Sequence, residues 1–237
     1  MLFAVVLAGG IGKRMGNVDK PKQFLLIGGK PIIVHTIEKF YINDCFEKVI
    51  VPCPEEWVSY TEDLLARDLK ETSRIAVIKG GSDRNGSIVN ALNYIRDNYG
   101  IDDDTAVVTH DAVRPFVTQR IIDENVKAAE AGMACDTVIP ATDTIVQSQG
   151  GEFITSIPNR AEYYHGQTPQ SFPAAKFLKL YDSLTADEKS ILTDAAKVFV
   201  MKGEPVAMIK GEEFNIKVTY KYDLTRAEIM LKGGKNA

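Results

Sequence analysis

The chain has 237 residues, 45% hydrophobic and 25% charged, with a formal charge of −4. That length buries a full core as one domain over 1–237, and the acidic balance argues against a general nucleic-acid surface. The apolar runs of this chain stop far short of the about 20 residues that a membrane span needs. No charged segment leading into a long apolar stretch marks a signal peptide. Cys45, Cys53 and Cys135 lack the spacing of a disulfide framework or a zinc site. A cytoplasmic, reducing compartment is the expectation.

In chain order, the run Leu2-Phe3-Ala4-Val5-Val6-Leu7 predicts a buried strand over 3–8 that empties into Gly9, Gly10, Gly12 and Gly16. Glycines turn backbone N–H groups toward an anion and let it approach closely. Lys13, Arg14, Lys20 and Lys22 crowd the same stretch. So much positive charge in one loop of an acidic chain points to one polyanionic ligand. The dinucleotide fingerprint fails because Met15 stands where its third glycine belongs, and the Walker pattern fails because Gly29-Lys30 is followed by Pro31. A glycine-rich surface turn with solvated lysines is the competing reading, and the four clustered cations weigh against it.

Further strands are expected at 47–52, 74–79, 105–110 and 135–141, and helices near 31–42, 55–69, 85–98 and 118–132, with Pro31 at a first helical position and Thr118 as an N-cap. This alternation predicts an α/β fold: three layers, a mostly parallel sheet and ligands beyond the carboxyl ends of its strands. Gly9–Gly16, Gly80–Ser87 and His110–Arg114 would then line one edge. The pattern breaks over 142–157, where Asp143–Val146 and Glu152–Ile154 flank Gln-Ser-Gln-Gly-Gly and read as a hairpin. With few neighbours to cover it, such a hairpin suits a clasp on a second subunit. Helices are expected at 174–184 and 193–199, a strand pair near 205–219, and a closing helix at 223–232.

Asp111 ends a strand beside His110, with Arg114 three residues on. A carboxylate there is placed to hold Mg²⁺, which wants hard oxygen ligands; a turn cap paired with Arg114 is the structural alternative. Gly80 and Gly81 leave a slot for a planar base, with Arg84 close by and Ser87 reaching the base edge, although capping explains the segment equally well. Lys217 falls in a Val/Ile strand pattern, which leaves a solvent-facing and a functional lysine equally open. Asp102-Asp103-Asp104 precedes its strand, the wrong end for the Asp-x-Asp motif of a nucleotide-sugar glycosyltransferase. Such a transferase, or a non-catalytic sensor, is the rival class.

Leu7–Met15 with Pro21-Lys22-Gln23, His110–Pro115, Gln167-Thr168-Pro169-Gln170, Thr193-Asp194 and Asn215–Thr219 together resemble the cytidylyltransferases of sugar-alcohol phosphates, in order along nearly the whole chain. The resemblance implies a Rossmann-like nucleotidyltransferase fold with a protruding β-hairpin arm at 142–158 that joins a homodimer. One branch of the family acts on ribitol 5-phosphate for teichoic-acid or capsule precursors, the other on 2-C-methyl-D-erythritol 4-phosphate for isoprenoids. Leu7-Ala8-Gly9-Gly10 in place of Pro-Ala-Ala-Gly, Tyr163–Gly166 in place of Leu-Trp, and Val113 before Arg114 look like the ribitol branch.

By the same resemblance, Leu7, Ala8, Gly9, Gly10, Gly12, Arg14, Lys22, Gly80, Gly81, Arg84, Ser87, Asp111 and Ala112 would bind CTP. Asp111, Arg114, Thr168, Thr193 and Lys217 would meet the acceptor, with Thr144 and Arg160 supplied by the neighbouring subunit. Arg14, Lys22 and Lys217 would carry the chemistry, and Asp111 would hold Mg²⁺ or another divalent cation. The expected partners are CTP, a polyol phosphate and a second copy of the chain, with no nucleic acid and no membrane; a polyol-phosphate dehydrogenase is left open.

Overall fold

A computed structural model describes residues 1–10 and 20–233. The elements run β1 (Leu2–Leu7), β2 (Leu26–Ile27), β3 (Lys30–Pro31), α1 (Ile32–Tyr41), β4 (Lys48–Cys53), α2 (Val58–Asp68), β5 (Ile75–Lys79), α3 (Arg84–Tyr99), β6 (Ala106–Asp111), α4 (Gln119–Glu130) and β7 (Ala134–Pro140). There follow β8 (Tyr164–Pro173), α5 (Ala174–Asp182), α6 (Ala186–Ser190), α7 (Ala195–Met201), β9 (Val206–Lys210) and α8 (Lys221–Gly233). Thr118 caps α4 as expected, its side chain accepting from Ile121 N. Pro31 sits one residue earlier than expected, at the cap of α1 rather than inside it.

The main sheet has the order β5-β4-β1-β6-β8-β7-β9. Neighbours are parallel except around β8, which runs antiparallel to both β6 and β7. Strand side chains alternate between faces, so β1 and β6 feed two cores. Ala4, Val6 and Val108 pack with α1 and α4 on one side. Phe3, Val5 and Val107 pack with α3, α5 and α7 on the other. The expected three-layer, mostly parallel arrangement is what forms.

Sequence patterning misses β8. Its ten residues include Gly166, Pro169 and Pro173 and show no apolar alternation. It is a strand because two strong strands flank it, an instance of tertiary context overriding propensity. Pro169 is tolerated at a bulge: Asp136 pairs with Gln170 but Val138 with Gly166, which leaves extra residues on β8.

Two other expectations change. In the arm only Gln147 and Ser156 bridge, while the runs at 143–146 and 152–154 do not pair. Ser148 Oγ instead donates to Phe153 O at 2.7 Å and accepts from Gly151 N, closing a bend. An exposed two-stranded hairpin with nothing beneath it is marginal in water. Of the pair expected near 205–219 only Val206–Lys210 is a strand. Residues 215–219 form a loop tied down by Val218 N donating to Val113 O.

Phe172 anchors β8, fully buried and stacked on Phe177 at 4.7 Å between ring centroids. Phe172→Ala is expected to lower the unfolding free energy by about 3–5 kcal/mol in urea titrations. A loss below about 1 kcal/mol would mean that β8 is not held by this core.

Candidate active site

The carboxyl ends of β1, β5 and β6 open onto a cavity of about 250 Å³. Its wall includes Leu7, Ala8, Gly9, Gly10, Lys22, Gly81, Arg84, Ser87, Asp111, Ala112 and Lys217, so eleven of the expected residues converge. Gln23, Ser82, Asp83 and Val113 complete it. Gly12 and Arg14 lie outside the described residues.

Asp111 is the centre of charge. Lys217 Nζ lies 2.8 Å from its Oδ2, Arg84 Nε 3.4 Å from its Oδ1, and Arg114 Nε 3.7 Å from its Oδ2. Burial alone would raise the carboxyl pKa, but Arg84, Lys217 and Arg114 outweigh it and hold Asp111 well below the usual carboxylate range. Lys217 is thus not in a strand, and its side chain, although partly exposed, has its ammonium paired with Asp111.

The loop carrying this charge is fixed from behind. His110 is buried, with Nε2 3.0 Å from Arg114 O and Nδ1 2.9 Å from Thr168 Oγ1. A carbonyl only accepts, so Nε2 carries the proton and Nδ1 accepts from Thr168. Burial pushes the ring down to about 4, which keeps it neutral. Thr168 Oγ1 in turn accepts from Asp111 N at 3.1 Å. Thr168, expected at the acceptor, therefore sits behind the cavity and positions Asp111. Arg114, expected at the acceptor, lies off the cavity wall: its NH1 donates to Asn215 O at 2.8 Å, and its buried Nε, without a hydrogen bond, is ion-paired with Asp111. Thr36 Oγ1 donates to Ala112 O at 2.9 Å, and Gln23 Nε2 to Ala8 O at 2.7 Å. Sequence reasoning missed Thr36, because a single threonine in an apolar helix gives no signal.

The 80–87 turn adds a structural role to the expected one. Ser87 Oγ donates to Asp83 O and accepts from Gly81 N, so its hydroxyl holds the turn before it can read a base. A Cβ on Gly81 would meet Gly86 Cα at 2.7 Å, so this glycine permits two backbones to touch. Gly80 lies off the cavity wall, where a side chain would meet Ser87 Oγ and Cys53 O.

Thr144, Arg160 and Thr193 are exposed and lie off the cavity of their own chain. Arg160 NH1 donates to Thr142 O at 2.6 Å within the arm, and Thr193 Oγ1 to Asp194. Asp102–Asp104 precede β6, at the sheet edge away from the cavity, where the glycosyltransferase motif would be useless.

No group of three His, Cys, Asp or Glu side chains among the described residues gathers to hold a metal. Asp111 offers one ionised hard oxygen ligand on the cavity wall. That suits a cation such as Mg²⁺, which takes one or two carboxylates and fills its shell with phosphate oxygens and water.

A model of the family described as 2-C-methyl-D-erythritol 4-phosphate cytidylyltransferase matches residues 2–233. The chain belongs to this family. Within it, the ribitol-5-phosphate cytidylyltransferase of Lactiplantibacillus plantarum is 47% identical over 232 residues, 98% of this chain and 99% of that one. The solved 2-C-methyl-D-erythritol 4-phosphate cytidylyltransferase of Francisella tularensis superposes with a TM-score of 0.77 at 29% identity, covering 96% of this chain and 98% of its own. That of Thermus thermophilus does so with a TM-score of 0.73 at 25% identity, covering 98% and 100%. With the family shown, the expected glycosyltransferase and sensor alternatives fall away.

Gly81→Ala is expected to lower both the melting temperature and CTP affinity measured by calorimetry, because overpacking against Gly86 costs about 1–3 kcal/mol. Unchanged stability with lost CTP binding would mean that a side chain here obstructs the nucleotide rather than Gly86, and would favour the slot reading.

Proposed function

We propose that this cytidylyltransferase transfers CMP from CTP to D-ribitol 5-phosphate, releasing pyrophosphate and forming CDP-ribitol. The observation that carries the reaction is the convergence of Arg84, Arg114 and Lys217 on one buried carboxylate beside a glycine-lined cavity. The acceptor follows from the 47% identity to the ribitol-5-phosphate enzyme along the full chain. A second reading, 2-C-methyl-D-erythritol 4-phosphate as acceptor, is favoured by the matching family description. Turnover measured side by side with the two acceptors decides between them: faster reaction with methylerythritol phosphate would overturn the ribitol assignment.

In the reaction an acceptor phosphate oxygen attacks the α-phosphorus of CTP. The bond from that phosphorus to the β-bridging oxygen breaks, and its electrons leave with pyrophosphate. The nucleophile is already ionised, so no general base is needed and the neutral His110 is not called upon. What the protein supplies is positioning and positive charge where negative charge gathers. Lys22, buried on the cavity wall, grips the triphosphate with Arg14. Lys217 faces the α-phosphate, and Arg114, on the far side of Asp111, adds positive charge toward the acceptor phosphate. A Mg²⁺ ion on Asp111, when bound, would neutralise charge between phosphate oxygens.

The arm supports a homodimer. Val146, Phe153, Ile154 and Ile157 are all exposed, Phe153 at 80%, which is apolar surface of the kind that a partner covers. In this reading Thr144, Arg160 and the rest of the arm reach the acceptor site of the second subunit. CTP and a polyol phosphate are then the ligands of each site.

Lys22→Ala is expected to remove about 3–4 kcal/mol of transition-state stabilisation, the scale of one preorganised charge contact, at unchanged melting temperature. Near-normal kcat/KM would take Lys22 out of the cradle. Mixing inactive Lys22→Ala with inactive Arg160→Ala is expected to recover about one active site in four under random subunit exchange, since half the dimers are mixed and each holds one intact site. Proven exchange with no recovery would return Arg160 to its own chain's site and end the shared-site reading.

A further inference from the structure

On the cavity wall Asp111 is taken by its cations and Asp83 by the cap of α3, so a polyol chain that extends beyond the wall meets its next carboxylate elsewhere. The register of the sheet shows where an acceptor lies. Asp136 on β7 pairs with Gln170 on β8, and Gln170 with Thr109 on β6. Paired residues share a face, as do residues two apart on a strand, so Asp136, Gln170, Thr109 and Asp111 all stand on the side covered by α3 and α7. Two strand spacings, about 10 Å, separate β7 from β6.

Hydrogen bonds cross that floor from end to end. Arg84 Nε meets Asp111, and Arg84 NH1 donates to Gln170 Oε1 at 3.2 Å. Gln170 Oε1 also accepts from Ala195 N, at the start of α7. Gln170 Nε2 donates to Asp136 Oδ1 at 3.0 Å. Asp136 Oδ2 has no hydrogen bond from any described residue. Its near neighbour is Gly166, exposed and without a side chain; a Cβ there would come within 3.5 Å of Oδ2. The bulge in β8 opposite Asp136 and Val138 lies at this point, and bulges beside active sites re-aim side chains.

We propose that Asp136 is an acceptor-specificity residue whose free Oδ2 accepts hydrogen bonds from the hydroxyls of the polyol chain, while Arg114 and Lys217 hold its phosphate. The assignment rests on the reaction proposed above. The charged groups facing Asp136 are Arg84 from α3, Arg114 from the loop after β6 and Asp194 from the start of α7. Burial pushes Asp136 up to about 6, Asp194 adding to the shift and Gln170, Arg84 and Arg114 opposing it. At neutral pH it is still mostly the ionised, stronger acceptor. A site built to hydrogen-bond a substrate hydroxyl discriminates sharply against an analogue that lacks it.

The test compares Asp136→Asn and Asp136→Ala with the unaltered enzyme, using ribitol 5-phosphate and 2-hydroxyethyl phosphate, which keeps the phosphate but lacks the polyol chain. Asn keeps an oxygen for Gln170 and turns the free oxygen into a donor; Ala removes both. For Asp136→Asn the KM for ribitol 5-phosphate is expected to rise about tenfold or more, at unchanged KM for CTP and unchanged melting temperature. Its kcat/KM with 2-hydroxyethyl phosphate is expected to stay within about twofold of the unaltered enzyme, because no polyol contact remains to be lost. An equal loss with both acceptors would make Asp136 only a brace for Gln170 and Arg84, and would overturn the assignment. So would an unchanged KM for ribitol 5-phosphate in both variants. Failure of the unaltered enzyme to use ribitol 5-phosphate would instead overturn the underlying reaction.

Discussion

Asp111 sits among Lys217, Arg84 and Arg114 at 2.8, 3.4 and 3.7 Å, and the geometry of the cavity follows from that arrangement. Three cations gathered in a small space repel one another, and each would otherwise turn to water. The buried carboxylate holds them together and leaves two positive charges uncompensated. An incoming polyphosphate therefore meets charge that is already aimed, and no reorganisation is needed as the reaction proceeds. Paired in this way, the cations also escape the penalty of standing buried alone.

That cluster is only as precise as the backbone beneath it. Asp111 and Arg114 leave β6 on a short loop held by His110, Thr168 and Asn215, which come from three distant parts of the chain. Neutral His110 adds no competing charge there. Asn215 closes the set by donating to Thr168 O at 2.9 Å, which ties the Lys217 loop to β8. Lys217 is thereby brought to the cavity by backbone contacts rather than by a strand.

The start of the glycine-rich loop at Gly9 and Gly10, the strand feeding it and the His110–Arg114 segment were legible in the sequence, because each follows a strongly apolar run that places it at the sheet edge. Asp111 and Lys217 could be singled out as charges in apolar contexts. Their mutual contact could not, since the two stand far apart along the chain and nothing between them encodes the distance. Strand β8 was hidden because its residues are chosen for hydrogen bonds to the site and not for alternation. At Gly81 the sequence shows only a missing side chain, while coordinates add that Gly86 lies where that side chain would stand. Thr168 shows the same limit, a polar residue whose partners lie behind the cavity rather than in it.

The antiparallel insertion of β8 has a consequence for synthesis on the ribosome. Strands β1, β4, β5 and β6 are complete by residue 111, but the far edge of β6 finds its partner only when residues 164–173 emerge. Until then a fully buried strand, whose flanking residues are already packed, presents an open row of N–H and C=O groups, the usual template for intermolecular pairing. The delay spans α4, β7 and the whole arm. Helix α4 packs beside this region and α3 covers the opposite face, yet neither satisfies that edge. The open edge of β6 therefore persists for as long as the arm is being made, and a longer arm would prolong that interval even if it left the finished fold unchanged.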